Sequence, residues 1–284
     1  WDVLREARWR RVRELGVVDC GLAAREPGFS PRYFKPEIMG QLGGGESRYP
    51  VAWSDLSEEQ KAFQSTKMAI HAAMVDRMDR EIGRVLGQLR AMGTVEDTVV
   101  FFLSDNGADA TLLIRGDGHD PSAPPGSARS YLCLGPGFAS ASNAPLRRYK
   151  VWTHEAGIAT PMIAHWPRGI VARGEWRRDL GHVIDLVPTI LELAGISSGA
   201  EWNGAQAPPF PGRSLVPAFA KDGSVTRDHM FFHHEGNRAI RRGDLKLVSA
   251  REDGDAWELY DLSRDRCEAE DLAASMPGMV KELS

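Results

Sequence analysis

The sequence predicts an α/β fold, a mostly parallel sheet sandwiched by helices, followed by a small antiparallel α+β subdomain at the carboxy terminus. Three observations carry that expectation. An amphipathic stretch at 57–92 runs through Gly93 into an apolar run at 98–103, helix and then strand. A second apolar run at 161–166 is followed by a helical pattern at 185–195, repeating the alternation from which parallel sheets are built. From residue 229 onward this gives way to short β-forming runs separated by turn residues. The boundary is expected near Leu215, with residues 1–215 forming the α/β core and 216–284 the antiparallel subdomain.

Each element has a local reason. The charged segment 2–15 is helix-compatible, with Val3, Leu4, Ala7, Val12 and Leu15 expected to face inward, and 27–50 carries enough Pro and Gly to be a surface loop. Ser57 and Gln60 have capping-box spacing at the start of the long helix. Val75, Met78, Ile82, Val85, Leu86 and Leu89 recur along it as an inward face, and Asp76, Arg77, Asp79, Arg80 and Glu81 stay mostly solvated. Residues 99–103 are apolar throughout, which fits a parallel strand buried on both faces. The stretch 107–144 is long and irregular, rich in Gly, Pro, Ser, Ala and Asp, as segments that line sites are. Pro188 falls in the first turn of its helix, where its absent N–H costs nothing. A Pro/Gly-rich linker at 202–213 precedes strands at 229–234, 238–242, 245–248 and 257–262, with Gly243 and Asp244 as a hairpin turn and a short helix at 277–283. No internal repeat is present.

Bulk properties narrow the function. The 284 residues with 42% hydrophobic content support a sizeable core, and 35 basic against 39 acidic residues leave a net charge of −4, too little to favour nucleic acid or an anionic membrane. No apolar run reaches the roughly 18 residues that suggest a membrane span. The three cysteines, Cys20, Cys133 and Cys267, are too few and scattered for a disulfide framework or zinc cluster, and leave room for one bridge. The chain opens on Trp1 without a signal-peptide core and reads as an internal start.

The candidate chemistry lies at the end of the first apolar run. Asp105 and Asn106 offer oxygen ligands suited to Ca²⁺, with Mg²⁺ as the alternative, while Asp-Asn-Gly is equally a turn sequence. The preceding strand favours the ligand reading, because α/β folds bind at strand carboxyl ends. Lys150 provides a point charge for a sulfate or phosphate oxygen among Arg147, Arg148 and His154, the other reading being a solvated basic face. His119 is either a proton donor to a leaving group or a polar residue holding its loop through Asp117 and Asp120. His182 and Asp185 have a spacing that metal ligands can use, although Asp185 is more simply a helix cap. His233 and His234 point to opposite faces of a strand and do not share a metal.

Taken in order, these features resemble the arylsulfatase family of the alkaline phosphatase superfamily. The features are Met78-Asp79 with 82–86, the strand ending at Asp105-Asn106-Gly107, Lys150 with Glu155-Ala156-Gly157, 161–166, 182–195, 211–215, Lys246 and 257–262. The resemblance implies an alkaline phosphatase-like core and hydrolysis of sulfate monoesters by a formylglycine hydrate. It implies Asp105 and Asn106 as calcium ligands, Lys150 as the sulfate-binding lysine, and a formylglycine-generating enzyme as maturation partner. A sulfated small molecule or carbohydrate is the implied substrate, and a periplasmic or secreted location is expected from the family alone. Ala156 stands where the family usually has Gly. The C/S-x-P/A-x-R sequence that supplies the nucleophile does not occur in these 284 residues. The chain is therefore expected to be the carboxy-terminal portion of such an enzyme, inactive alone. A phosphoester or phosphonate monoester hydrolase of the same superfamily and a non-catalytic binding remnant are the rival readings.

Overall fold

The computed structural model describes residues 1–29, 35–114, 118–196, 201–206 and 208–284, the side chain of Trp202 aside. In chain order the elements are helices α1 (Asp2–Glu14), α2 (Pro36–Leu42) and α3 (Glu58–Ala91), strand β1 (Val100–Leu103), helices α4 (Gly135–Asn143) and α5 (Glu155–Ile158), strand β2 (Met162–His165), helix α6 (Leu186–Leu193), strands β3 (Glu201–Trp202) and β4 (Ala205–Gln206), helix α7 (Val216–Ala220), strands β5 (Met230–His234), β6 (Asn237–Arg242), β7 (Leu245–Ser249) and β8 (Trp257–Asp261), and helix α8 (Pro277–Leu283). They form two compact units, each discontinuous in sequence: Trp1–Val85 with Asn106–Thr160 and Met230–Ser284, and Leu86–Asp105 with Pro161–His229.

In the first unit α1 packs on α4 through Trp1, which meets Phe138 edge-on at 5.4 Å. Its inward face differs from the expected one. Val3 is 81% exposed and Leu4 50%, while Trp1, Arg5, Trp9 and Val12 turn inward, and the Arg5 guanidinium donates to the Ala23 carbonyl at 2.8 Å. These four lie three or four residues apart and share a face, and the two indoles bring more apolar area to it than Val3 and Leu4 can. Helix α3 begins with the expected capping box, Ser57 N–H to Gln60 at 3.0 Å and Gln60 N–H to Ser57 Oγ at 3.2 Å. Its buried positions are Gln64 and Lys67, both bonded to the sealed carboxylate of Glu46, whereas Met78 and Val85 are 48% and 63% exposed. Periodicity identifies an apolar stripe; it does not say which part of a 34-residue helix is covered.

Strands β5 to β8 form an antiparallel meander in sequence order, as the short β-forming runs predict. Glu235 and Gly236, both at positive φ, turn β5 into β6, and Gly243 at φ 60° turns β6 into β7. Leu247, Leu259 and Leu283 pack α8 onto one face. A Cys20–Cys267 disulfide ties the segment after α1 to the segment after β8 and lies with Val18 and Ala23 in a small core. Among the described residues Cys133 is the free cysteine, and burial, then the nearby Glu46, push its thiol up to about 11.

In the second unit β1 pairs with β2, Val100 opposite His165 and Leu103 opposite Met162. The pairing is antiparallel, which corrects the expectation of a parallel strand for 99–103. Phe102 is 45% and Ile163 59% exposed, so β1 is not buried on both faces among the described residues. An all-apolar run reports hydrophobicity, not strand direction. Asp185 is fully buried and works as a structural residue: its carboxylate accepts the N–H of His182 at 2.7 Å and of Arg213 at 2.8 Å, and pairs with the Arg227 guanidinium. His182 Nδ1 in turn accepts the Ile184 N–H at 3.2 Å, so the pair spaced like metal ligands is a reciprocal cap.

Candidate active site

The segment after Asn106 and the segment around Lys150 are laced together by their backbones. The Gly107 N–H donates to the Gly157 carbonyl at 3.0 Å and the Lys150 N–H to the Ala108 carbonyl at 3.0 Å. A Cβ at Gly107 would lie 1.7 Å from the Ala156 carbonyl oxygen, and one at Gly157 1.9 Å from that of Trp152, so this approach requires glycine at both positions. Asn143, the last residue of α4, bridges the two segments by accepting the Ala108 N–H at 3.0 Å and donating to the Arg148 carbonyl at 3.1 Å.

Lys150 sits between two residues in the left-handed region, Arg148 at φ 67° and Val151 at φ 92°. A β-branched residue there is strained, and such strain persists where surrounding contacts over-determine the backbone. The contacts are present. Asn237, fully buried on β6, donates to the Val151 carbonyl at 3.0 Å, and the buried Arg148 guanidinium pairs with Glu26 and Asp253 while stacking 4.3 Å over Phe29.

The basic residues around Lys150 divide by role. Arg147 is held by Glu26 at 2.8 Å, Glu258 at 2.9 Å and the Tyr260 hydroxyl at 2.9 Å. His154 is fully buried, 3.0 Å from Glu258 by Nε2 and 3.4 Å from Arg148 by Nδ1. Burial, reinforced by Arg148 and opposed by Glu258, pushes it down to about 3, so it is a neutral Nε2–H donor. This corrects the expectation that Arg147, Arg148 and His154 join Lys150 in receiving an anion: their polar atoms are taken by carboxylates. Lys150 is 35% exposed, and its ammonium lies 3.5 Å from Asp109. Five residues further on, Glu155 at the start of α5 pairs with Lys246 at 2.9 Å and Arg266 at 3.0 Å, and its N–H donates to Glu268 at 2.8 Å.

Asp105 is exposed and Asn106 half-buried. A carboxylate and an amide oxygen are the right donors for Ca²⁺ or Mg²⁺ and fewer than the six or so that either takes. Among the described residues no group of three or more His, Cys, Asp or Glu side chains is placed to hold a metal. His119 is half-buried, accepts the Tyr131 N–H at Nδ1 (3.0 Å) and meets the Gln41 carbonyl at 3.4 Å, which joins its loop to α2. Asp120 binds Ser122 and Arg129, and Asp117, the other residue of the expected turn, lies outside the described residues. Asp109 and Asn143 went unrecognised in the sequence. The available signals were a second carboxylate three residues past Asn106 and an Asn at the helix end before Ala144-Pro145.

Comparison with known proteins adds the family. The family model described as Sulfatase matches residues 45–196, and the one described as N-sulphoglucosamine sulphohydrolase, C-terminal, matches 148–281. An uncharacterised sulfatase of Schizosaccharomyces pombe is 31% identical over 297 residues, covering 99% of this chain and 50% of the relative. The arylsulfatase of Klebsiella aerogenes is 31% identical over 172 residues, 57% of this chain and 37% of its own length. The solved structure of Ps i-CgsB in complex with k-i-k-neocarrahexaose covers 99% of this chain and 52% of that one at 23% identity and a TM-score of 0.56, a likeness of fold. That fold is the expected α/β class with its small antiparallel carboxy-terminal sheet. The chain thus spans half or less of the length of these curated relatives.

Proposed function

Because the chain belongs to the sulfatase family, we propose that the complete protein hydrolyses sulfate monoesters of a small molecule or carbohydrate, with Lys150 contacting the sulfuryl oxygens. The observation that carries this is the pairing of the Lys150 N–H with the Ala108 carbonyl, which holds an accessible ammonium against the loop that begins at Asn106. Asp105 and Asn106 are proposed as two oxygen ligands of a Ca²⁺ ion, with Mg²⁺ as the alternative, the others coming from outside the described residues. A hard cation bound there would stabilise charge on the sulfuryl oxygens.

Within this chain the work is preorganisation. Asn143, Asn237 and the Gly107–Gly157 contact fix the backbone of Lys150 before substrate arrives, so that its charge is in position when negative charge grows on the sulfuryl group. The nucleophile is proposed to be a formylglycine hydrate, made by a formylglycine-generating enzyme from a C/S-x-P/A-x-R sequence in the complete protein. Export to a periplasm or the exterior belongs to the same proposal, and the Cys20–Cys267 bridge supports an oxidising compartment. No helix among the described residues is long and apolar enough to cross a membrane. His119 enters as a residue that joins its loop to α2.

The test is hydrolysis of 4-nitrophenyl sulfate by the complete protein, co-expressed with a formylglycine-generating enzyme and supplied with Ca²⁺. Turnover is expected, with loss on chelation and a fall of roughly 10²–10³ in kcat for Lys150→Ala at unchanged thermal stability. Phosphate monoester turnover without sulfate turnover would move the protein to the phosphoesterase branch, and silence on both would leave a binding remnant.

A further inference from the structure

Resting on the sulfate-ester reading above, we propose that Asp109 is a specificity-determining residue, a fixed negative charge beside Lys150 that favours singly charged sulfate monoesters over doubly charged phosphate monoesters. The two classes share a tetrahedral group and differ by one charge: an aryl sulfate carries one negative charge, and a phosphate monoester about 1.5 to 2 near neutrality, its second pKa being about 6. An oxygen-lined pocket of fixed shape tells them apart poorly. A nearby carboxylate does so by repulsion, which scales with the charge of the incoming anion.

The geometry fits that role better than that of a simple counterion. Asp109 Oδ1 accepts both the Thr111 N–H at 2.9 Å and the Thr111 hydroxyl at 2.5 Å, and Thr111 is buried. Its carboxylate is therefore anchored by its own loop and stays in place whether or not Lys150 moves. Contact with Lys150 is made through Oδ2 at 3.5 Å, a loose pairing in which both side chains are more than a third exposed. The ammonium can turn to a substrate oxygen while the carboxylate remains behind it. Burial opposes the charged form of Asp109, but the Thr111 hydrogen bonds and Lys150 outweigh it and hold the carboxyl below the usual range. The residue is anionic near neutral pH. For an anion held by Lys150, within a Debye length of this carboxylate and allowing for solvent screening, the additional charge of a phosphate ester is disfavoured roughly tenfold.

The experiment compares kcat/KM for 4-nitrophenyl sulfate and 4-nitrophenyl phosphate in the complete protein and in Asp109→Asn, Asp109→Ser and Asp109→Glu. Asparagine and serine remove the charge and keep an acceptor for Thr111, and glutamate keeps the charge. The sulfate-to-phosphate ratio is expected to fall about tenfold in the neutral variants and to stay within about threefold of wild type in Asp109→Glu. If phosphate turnover is below detection, the inhibition constant of phenyl phosphate against sulfate hydrolysis replaces it and is expected to drop by the same factor. Equal losses on both esters, with the ratio unchanged in Asp109→Asn and Asp109→Ser, would overturn the inference and leave Asp109 a structural anchor. Failure of the underlying reading looks different: the wild-type protein would not cleave the sulfate ester, or Lys150→Ala would leave that cleavage intact.

Discussion

The ammonium of Lys246 lies 2.9 Å from the carboxylate of Glu155, and both side chains are at most 3% exposed. Glu268 approaches the same ammonium at 2.8 Å and accepts the Glu155 N–H, so one lysine on β7 ties the first turn of α5 to the segment that follows β8. Removing one member of such a cluster leaves uncompensated charge in the interior. Lys246→Ala is expected to lower stability by about 3–5 kcal/mol, read from urea unfolding. A change below about 1 kcal/mol would mean that solvent reaches the cluster.

The contact between the Gly107 and Gly157 segments gives a second prediction. A methyl group at residue 107 meets the Ala156 carbonyl, a backbone atom that cannot rotate away. Gly107→Ala is expected to cost about 1–3 kcal/mol or more and to lower activity by displacing Lys150. Gly83→Ala, on the α3 surface with nothing within 4 Å, is the control and should be neutral or stabilising. Equal effects at the two positions would rule out the steric argument.

His154 makes stability depend on acid. Its folded value, about 3, is below its ordinary 6.5, so the unfolded chain takes up the proton first. The stabilisation is complete above pH 6.5 and is lost as pH falls toward 3. Urea midpoints for wild type should decline from pH 7 to pH 5, and His154→Gln, which retains a donor for Glu258, should decline less. Parallel profiles would assign the acid sensitivity to other groups.

The disulfide predicts a redox effect on the fold. Reducing Cys20–Cys267, or replacing Cys20 by Ser, should lower stability by about 2–5 kcal/mol. Thermal melts with and without a reductant measure this, and the Cys20→Ser protein should show no further response to the reductant.

Much of the carboxy-terminal sheet was legible in the sequence, because its signals are local. Gly243-Asp244 dictates a turn, short β-forming runs dictate the flanking strands, and Pro277 opens α8 as N1 prolines do. The capping box at Ser57 was legible for the same reason. The direction of β1 and the inward faces of α1 and α3 depend on which distant segment covers them, and a pattern of apolar residues does not contain that information. At the site, Lys150, Asp105 and Asn106 stood out through residue type and order. The partners that hold Lys150 did not: Asn143, Asn237, Glu26 and Asp253 are ordinary polar residues as much as 124 positions away, and only folding brings them together. Arg147 and Arg148 misled for the converse reason, since a run of basic residues looks the same in sequence whether it faces an anion or buried carboxylates.

Because Cys20 and Cys267 are joined, the intervening 246 residues form a closed covalent ring. A protease that cuts that ring once opens it without releasing a fragment, so the nicked protein keeps its full mass on a non-reducing gel and separates into two bands when thiol is added.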